Sequence, residues 1–342
     1  MSKVVCFGEI MMRLVPPGHL RLGQTPALEM TFGGAEANVS VSLANFGEDV
    51  SFVTRLPKNV IAEACLSQLR GFGVDISKVA FGGDRMGIYF MEKGASMRPS
   101  KVVYDRKFAS LSTIQPGDIH WPDVFSGAEW FHFTGITPAL SESCAGQTLQ
   151  ACQVAKQLGL IVSCDLNYRK NLWTRGEAKK TMMELMQYVD VLIANEEDSQ
   201  DVFGIGAEGA DIEGGVLNEE GYWKLARKLA RTFGNQKVAF TLRESFSAND
   251  NDWSGLLYDA KTDTAVRSRK YSVHIVDRVG GGDAFGAGLI YAMRRGYGDE
   301  DAVNFAAAAS ALKHTIEGDF NRVSVQEVEV LMGGSVSGRV QR

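Results

Sequence analysis

Cysteine is scarce in this 342-residue chain and badly placed for pairing. Cys6, Cys65, Cys144, Cys152 and Cys164 are odd in number and contain no CxxC spacing. Neither a disulfide framework nor a thiolate zinc site is suggested, which favours a reducing cytoplasm. No apolar run reaches the roughly 18 residues of a membrane span. The N-terminal MSKVVCFGEI has too short an apolar run before Gly8 for a signal peptide. A soluble cytoplasmic protein without membrane association is expected. Long basic runs are missing too, and the net charge is -5, which argues against nucleic acid as a partner because such binding rests on phosphate neutralisation. No glycine precedes a lysine, so the P-loop pattern GxxxxGK[ST] is excluded, and neither HExxH nor an EF-hand loop occurs. The five histidines are scattered. His132 in WFHFTG and His314 in ALKHT read as ordinary strand and helix residues rather than ligands.

What is present is a hydrophobic fraction of 45%, ample for a large core. Short apolar runs, KVVCFG, DVSFVT, EWFHFTG, LIVSCD, DVLIAN and KVAFTL, alternate with segments of helical periodicity. The periodicity predicts helices over 34–46, 59–70, 143–158, 177–187, 219–233, 282–294 and 299–316, with Gly47 and Gly159 closing two of them. Strands alternating with helices predict an α/β fold with a mainly parallel sheet covered on both faces. Two stretches break the rhythm, about 10–32 and 84–108, where MMRLVP, LEMTF, GIYFMEKG and KVVYDR look extended without helices between them. They predict a small separate sheet. Residues 204–221 and 245–252 read as surface loops.

Two motif matches fail on context. GIGAEG at 204–209 fits GxGxxG but follows the polar, helix-like EEDSQDVF instead of a strand. Asn38-Val39-Ser40 is a formal glycosylation sequon without a secretory signal. The informative stretch is DRVGGGDAFGAG, 277–288. Successive N–H groups of Gly280, Gly281 and Gly282 at a helix start can receive an anion. The same residues can equally form a tight turn with Asp283 as a capping acid. A second glycine stretch, FGGAEANVSVSLANFG at 32–47, also enters a helix with a polar residue, Asn38, in its first turn.

The pair of stretches resembles the signatures of the PfkB or ribokinase-like carbohydrate kinases, GGxxxN near the N-terminus and D-[TS]-x-G-A-G-D near the C-terminus. They stand here as Gly33-Gly34-Ala35-Glu36-Ala37-Asn38 and Asp277-Arg278-Val279-Gly280-Gly281-Gly282-Asp283. The resemblance runs from the first strand to about residue 330. It implies one ribokinase-like catalytic domain over 1–342, an open, mainly parallel sheet with helices on both faces, and a β-sheet lid from the two rhythm-breaking stretches. It also implies ATP as co-substrate with Mg2+, and in some relatives a monovalent cation such as K+ near the residue matching Asp277. Gly280, Gly281 and Gly282 would stabilise the transferred phosphoryl group while Asp283 takes a hydroxyl proton. Asn195 and Asp198 match the family's NxxE motif, with aspartate at its last position, and would hold Mg2+ and phosphates through water. They can alternatively cap the following helix. Thr241 would touch the nucleotide phosphates. The run 306–320, with Ala309, resembles the adenine-pocket wall, and its small residues suit helix packing as well.

Within the family, GGAEANV, YDR and DLNYR resemble the 2-keto-3-deoxygluconate kinases. That implies a keto-acid site of Gly34, Asn38, Tyr89, Tyr104, Arg106 and Arg169, since the planar arginine fork pairs with carboxylates. Arg13 stands where many sugar kinases of the family have an aspartate. Other departures are Arg278 for a small hydroxyl residue, Gly281 for alanine, and Arg243 for glycine. The expected reaction is ATP-dependent phosphorylation of the terminal hydroxyl of 2-keto-3-deoxygluconate, in a dimer or higher homo-oligomer associating through lid edges. The alternatives are a kinase for fructose, ribose or 2-keto-3-deoxygalactonate, a non-catalytic sugar or nucleotide sensor, and a Rossmann-type oxidoreductase.

Overall fold

The structure, a computed structural model, describes residues 3–195, 197–206 and 219–334. Most of the chain is organised on one nine-stranded sheet. Its parallel part comprises β1 (Lys3–Phe7), and, after two strands of a second sheet, β2 (Met11–Val15) and β3 (Glu29–Gly33), it continues with β4 (Val50–Val53). A two-residue pair, β5 (Arg55–Leu56) with β6 (Ala80–Phe81), follows, then β7 (Gly87–Glu92) and β8 (Lys101–Asp105) of the second sheet. The large sheet resumes with β9 (Ala128–Thr134), β10 (Ile161–Asp165), β11 (Val191–Asn195) and β12 (Lys237–Ser245), and ends with β13 (Asp250–Asp259), β14 (Thr264–Arg267) and β15 (Tyr271–His274).

The strand order is β14-β13-β12-β11-β10-β9-β1-β4, with β15 also pairing β13. The six apolar runs picked out in the sequence are the parallel strands β1, β4, β9, β10, β11 and β12. Each is buried on both sides, and alternation along a strand sends successive residues to opposite faces. Val4 and Cys6 join one core, with helices Ala35–Asn45, Val60–Gly71, Gly281–Arg294 and Asp299–Lys313. Val5 and Phe7 join the other, with Glu142–Gln157, Arg175–Leu185 and Glu219–Phe233.

Helix limits follow local chemistry. Asn59 Oδ1 accepts from the amides of Ile61 and Ala62 at 3.1 and 3.0 Å, Ser141 caps through Cys144 N at 3.1 Å, and Thr174 forms a capping box with Glu177. Gly47 and Gly159 close their helices with φ of 80° and 79°, a conformation that favours glycine. No helix among the described residues is long and apolar enough to cross a membrane.

The rhythm-breaking stretches form a four-stranded sheet, order β3-β2-β7-β8. β2 and β3 pair antiparallel, β2 and β7 parallel, and β7 and β8 antiparallel. The expected loop at 245–252 is instead the turn of a hairpin in which β12 and β13 pair from Ser245↔Asn251 to Lys237↔Asp259. The polar start of β13 is held by its neighbours, through Ser247 Oγ to Asp250 Oδ2 at 2.9 Å and the pairing with β15, and not by strand propensity of its own. Of the loop expected at 204–221, residues 207–218 lie outside the described residues, and Glu219 already begins a helix.

Candidate active site

Open parallel sheets place ligands beyond the carboxyl ends of their strands. Here Thr134↔Asp165, Asp165↔Ile193 and Asn195↔Thr241 are partners across β9 to β12, so register alone brings Asp165, Asn195 and Thr241 to that end. A cavity of about 440 Å³ lies there, bounded also by Gly34, Asn38, Tyr89, Tyr104, Arg106, Arg169, Asp198, Gly280, Gly282 and Asp283. It runs beside a wider cleft of about 1000 Å³ that shares Tyr104, Arg106, Arg169, Asn195 and Asp198.

Gly280 precedes helix Gly281–Arg294 with φ 84°, and a Cβ there would stand 2.2 Å from the Asp319 carbonyl oxygen. Glycine is required twice over. The first amides of a helix have no intrahelical acceptor, so those of Gly281, Gly282 and Asp283 face out of the helix start, where its dipole is positive. Gly281 is forced by contact with His314, 2.4 Å from its hypothetical Cβ. Gly282 differs: an added Cβ would meet no atom within 4 Å, so nothing in the chain itself demands glycine there.

Asp283 is held by Asn38, whose Nδ2 donates to Asp283 Oδ2 at 2.7 Å. Asn38 Oδ1 in turn accepts the Gly34 amide at 3.3 Å. Burial raises the Asp283 pKa from 3.8 to about 6, opposed by the Asn38 hydrogen bond and by the positive charges of Arg169 and Lys313. Gly34 is required by proximity, since its Cβ would lie 2.0 Å from the Glu9 carbonyl oxygen. Glu36, in the same motif, anchors the helix: its Oε1 accepts from Thr134 N, Thr134 Oγ1 and Thr137 Oγ1 at 2.9, 2.8 and 2.7 Å. Asn38 is 2% exposed and bonded, which removes the sequon from consideration.

The arginines divide sharply. Arg13 is 1% exposed and bridges Asp277 and Asp319, the latter at 2.6 Å, so it is a structural cation and does not line this cavity. Tyr89 donates its hydroxyl to the same Asp319 carboxylate at 2.6 Å, although its ring borders the cavity 6.0 Å from that of Tyr104. Arg106 is ion-paired with buried Glu9 and lies over the Tyr104 ring at 5.3 Å. The Arg169 side chain has no hydrogen bond or ion pair to a described residue, and the residue borders both the cavity and the cleft. Its charge acts on Asp165, Asp198 and Asp283 together.

Asn195 Oδ1 accepts the amides of Glu197 and Asp198, both at 2.9 Å, which is the capping arrangement. Asp198 accepts the amides of Tyr168 and Asn195 at 3.1 and 3.4 Å, and burial raises its pKa to about 6. No group of three acidic, histidine or cysteine residues able to cage a metal occurs among the described residues. The acids at this wall suit a hydrated Mg2+, which keeps several waters and needs one or two carboxylates beside substrate phosphates.

Ala309 is not brought to the cavity. It is fully buried between helices, 3.3 Å from where a Gly288 Cβ would stand. The cavity is bordered instead by Trp253, which no motif marks, and by His314, which reads from the sequence as an ordinary helix residue. His314 packs on Trp253 with ring centroids 4.7 Å apart, and burial lowers its pKa to about 4, so it is neutral. Asp165 was missed as well, although an acid directly after an apolar strand run is a legible signal. Arg243 and Arg278 also border the cavity; Arg278 donates to the Ala248 carbonyl at 3.0 Å. In GIGAEG, Gly204 is a left-handed helix cap with φ 73°, and 207–209 lie outside the described residues.

The half-buried Asp283 at a glycine-rich helix start, on a cavity that the small second sheet also borders, is an arrangement suited to phosphoryl transfer to an alcohol group. The family model described as pfkB family carbohydrate kinase matches residues 1–321. The chain belongs to this family of carbohydrate kinases, with its ribokinase-like fold. A crystal structure of 2-dehydro-3-deoxygluconokinase from Thermotoga maritima is 49% identical, with a TM-score of 0.94, covering 98% of this chain and 100% of the other. The 2-dehydro-3-deoxygalactonokinase of Haloferax volcanii is 32% identical over 338 residues, 98% of each chain. The 2-dehydro-3-deoxygluconokinase of Thermoproteus tenax is 29% identical over 339 residues, 97% of this chain and 94% of the other. Kinases of this family use ATP with Mg2+.

Proposed function

We propose that the chain transfers the γ-phosphoryl group of ATP to the terminal C6 hydroxyl of 2-keto-3-deoxygluconate, giving 2-keto-3-deoxy-6-phosphogluconate and ADP. The observation that carries the acid part of this reading is Arg169, a guanidinium at the cavity wall without a partner among the described residues, in a pocket otherwise rich in carboxylates. Such a group calls for an anionic substrate. The likeness to the Thermotoga maritima enzyme supports the same substrate class.

In this reading the substrate carboxylate meets Arg169, with Arg106, Tyr89, Tyr104, Gly34 and Asn38 around the sugar chain. Asp283 takes the hydroxyl proton as that oxygen bonds to the γ-phosphorus and the bond to the β-phosphate oxygen breaks. Its raised pKa leaves it ionised and moderately basic at neutral pH. Amides at Gly280, Gly281 and Gly282 stabilise the charge on the phosphoryl oxygens. The room beside Gly282 fits close approach of those oxygens. Thr241, Arg243 and Arg278 lie along the path of the remaining phosphates. Mg2+, held through water near Asn195 and Asp198, would neutralise phosphate charge. The four-stranded sheet serves as a lid that excludes water. β8 is exposed along its length, with Val103 56% exposed, and self-association through this edge belongs to the same reading.

The test is a coupled ATPase-to-ADP assay across 2-keto-3-deoxygluconate, 2-keto-3-deoxygalactonate, fructose and ribose. The two keto acids should dominate, and Arg169→Ala should raise KM for them by roughly 10- to 100-fold, as loss of a charge-assisted contact requires. Faster turnover of the neutral sugars would overturn the acid reading. The galactonate epimer is kept as a second reading because of the Haloferax volcanii relative.

A further inference from the structure

Lys313 ends helix Asp299–Lys313, is 0% exposed, and forms no ion pair with any described carboxylate. Its ammonium donates instead to two main-chain carbonyls, Ile316 O at 3.2 Å and Asp277 O at 3.5 Å. Asp277 opens the glycine turn, and Lys313 Cε lies 3.2 Å from where a Gly280 Cβ would stand. The two loops joined in this way touch elsewhere as well. The amides of Val276 and Asp277 donate to His314 O at 2.8 and 3.2 Å, and Gly318 N donates to Asp277 Oδ2 at 3.1 Å. A buried cation whose ligands are carbonyl oxygens occupies the role an alkali ion plays in protein: it gathers dipoles and fixes the loops that carry them. A lysine buried merely for packing would be expected to pair with an acid or reach solvent. Lys313 does neither, although Asp277, Asp319 and Asp283 are near enough to act on its charge.

We propose that the Lys313 ammonium is a tethered monovalent cation of the glycine turn, a positioning residue that holds the Asp277 and Ile316 carbonyls and thereby the Gly280–Gly282 amides, so that turnover needs no added alkali cation. The catalytic consequence rests on the kinase reading above; the cation site itself does not.

The experiment compares wild type with Lys313→Ala and Lys313→Met in potassium, ammonium or tetramethylammonium chloride at matched ionic strength, reading kcat and thermal midpoint. Wild-type kcat should be the same in all three salts. Lys313→Ala should lose roughly 100-fold in kcat, the scale of a displaced catalytic group. Potassium or ammonium, but not the bulky tetramethylammonium, should then restore activity and raise its midpoint by mass action. Lys313→Met, with its chain filling the space, should respond less. Potassium activation of the wild type, or a folded Lys313→Ala that no small cation rescues or stabilises, overturns the proposal. If Lys313→Ala does not fold, the wild-type salt comparison and Lys313→Met decide it. Failure of wild type to phosphorylate any sugar acid would count against the proposed function, while the midpoint shifts would still report on the cation site.

Discussion

Asn38 and Asp283, 245 positions apart in the chain, are joined by a 2.7 Å hydrogen bond from Nδ2 to Oδ2. One residue comes from each of the two glycine stretches that stood out in the sequence. The bond holds Oδ2 of a carboxylate that borders the cavity, where a hydroxyl proton can be received.

Replacing Asp283 with Asn should therefore cut kcat by roughly 100- to 10,000-fold, the range for loss of a positioned general base, while nucleotide affinity is kept. For the wild type, kcat/KM should rise with pH through about 6 as the carboxylate ionises. Stability should move the other way. The folded pKa is raised from 3.8 to about 6, so the native state holds the extra proton in that window and loses relative stability as pH climbs through it. The Asn variant lacks this penalty. Its melting temperature should exceed that of wild type at alkaline pH, and the difference should shrink toward zero below the lower end of the window. A variant with comparable turnover would remove Asp283 as the base.

Arg13→Met should be destabilising by about 3–5 kcal/mol in denaturant unfolding, because it leaves Asp277 and Asp319 buried without their shared cation. Arg13→Lys keeps the charge but cannot span both carboxylates with one planar fork, and should fall between. If Arg13 instead served the substrate, Arg13→Met would raise KM with little change in stability.

Two glycines one cavity apart should behave differently. Gly34→Ala places a methyl 2.0 Å from the Glu9 carbonyl and 3.0 Å from Ile10 Cα, backbone that cannot step aside, so stability and the Asn38 to Asp283 bond should both suffer. Gly282→Ala meets nothing and should melt like wild type, yet lose turnover where the phosphoryl oxygens need that space. Circular-dichroism melts paired with kcat measurements separate these effects. A Gly282→Ala protein with normal turnover would show that close approach at this position is not used.

Much of the scaffold was legible because its signals are local. The six buried strands, the seven long helices and their glycine caps follow from periodicity and capping chemistry, each read within a window of a few residues. The hairpin of β12 and β13 was not, because the polar start of β13, Asp250 to Asp252, has loop composition and gains strand geometry only through its neighbours. The site was legible where a motif carried it, at Gly34, Asn38, Gly280 and Asp283. It was not legible at Ala309, where small size signified helix packing, or at Trp253 and His314, which close the cavity from distant segments.

The sequence by itself determined the alternation of the six parallel strands with the long helices, the two glycine-rich stretches and the family, since these depend on residue types at short spacing. Only the tertiary structure decided which charges are spent and which are available. Arg13, Arg106 and Arg169 look alike along the chain. Burial between Asp277 and Asp319 makes the first structural, pairing with Glu9 ties the second, and the third is left facing the cavity. Electrostatic roles are set by partners that folding brings from far along the chain, 97 positions for Arg106 and Glu9 and 306 for Arg13 and Asp319, and no local window contains them.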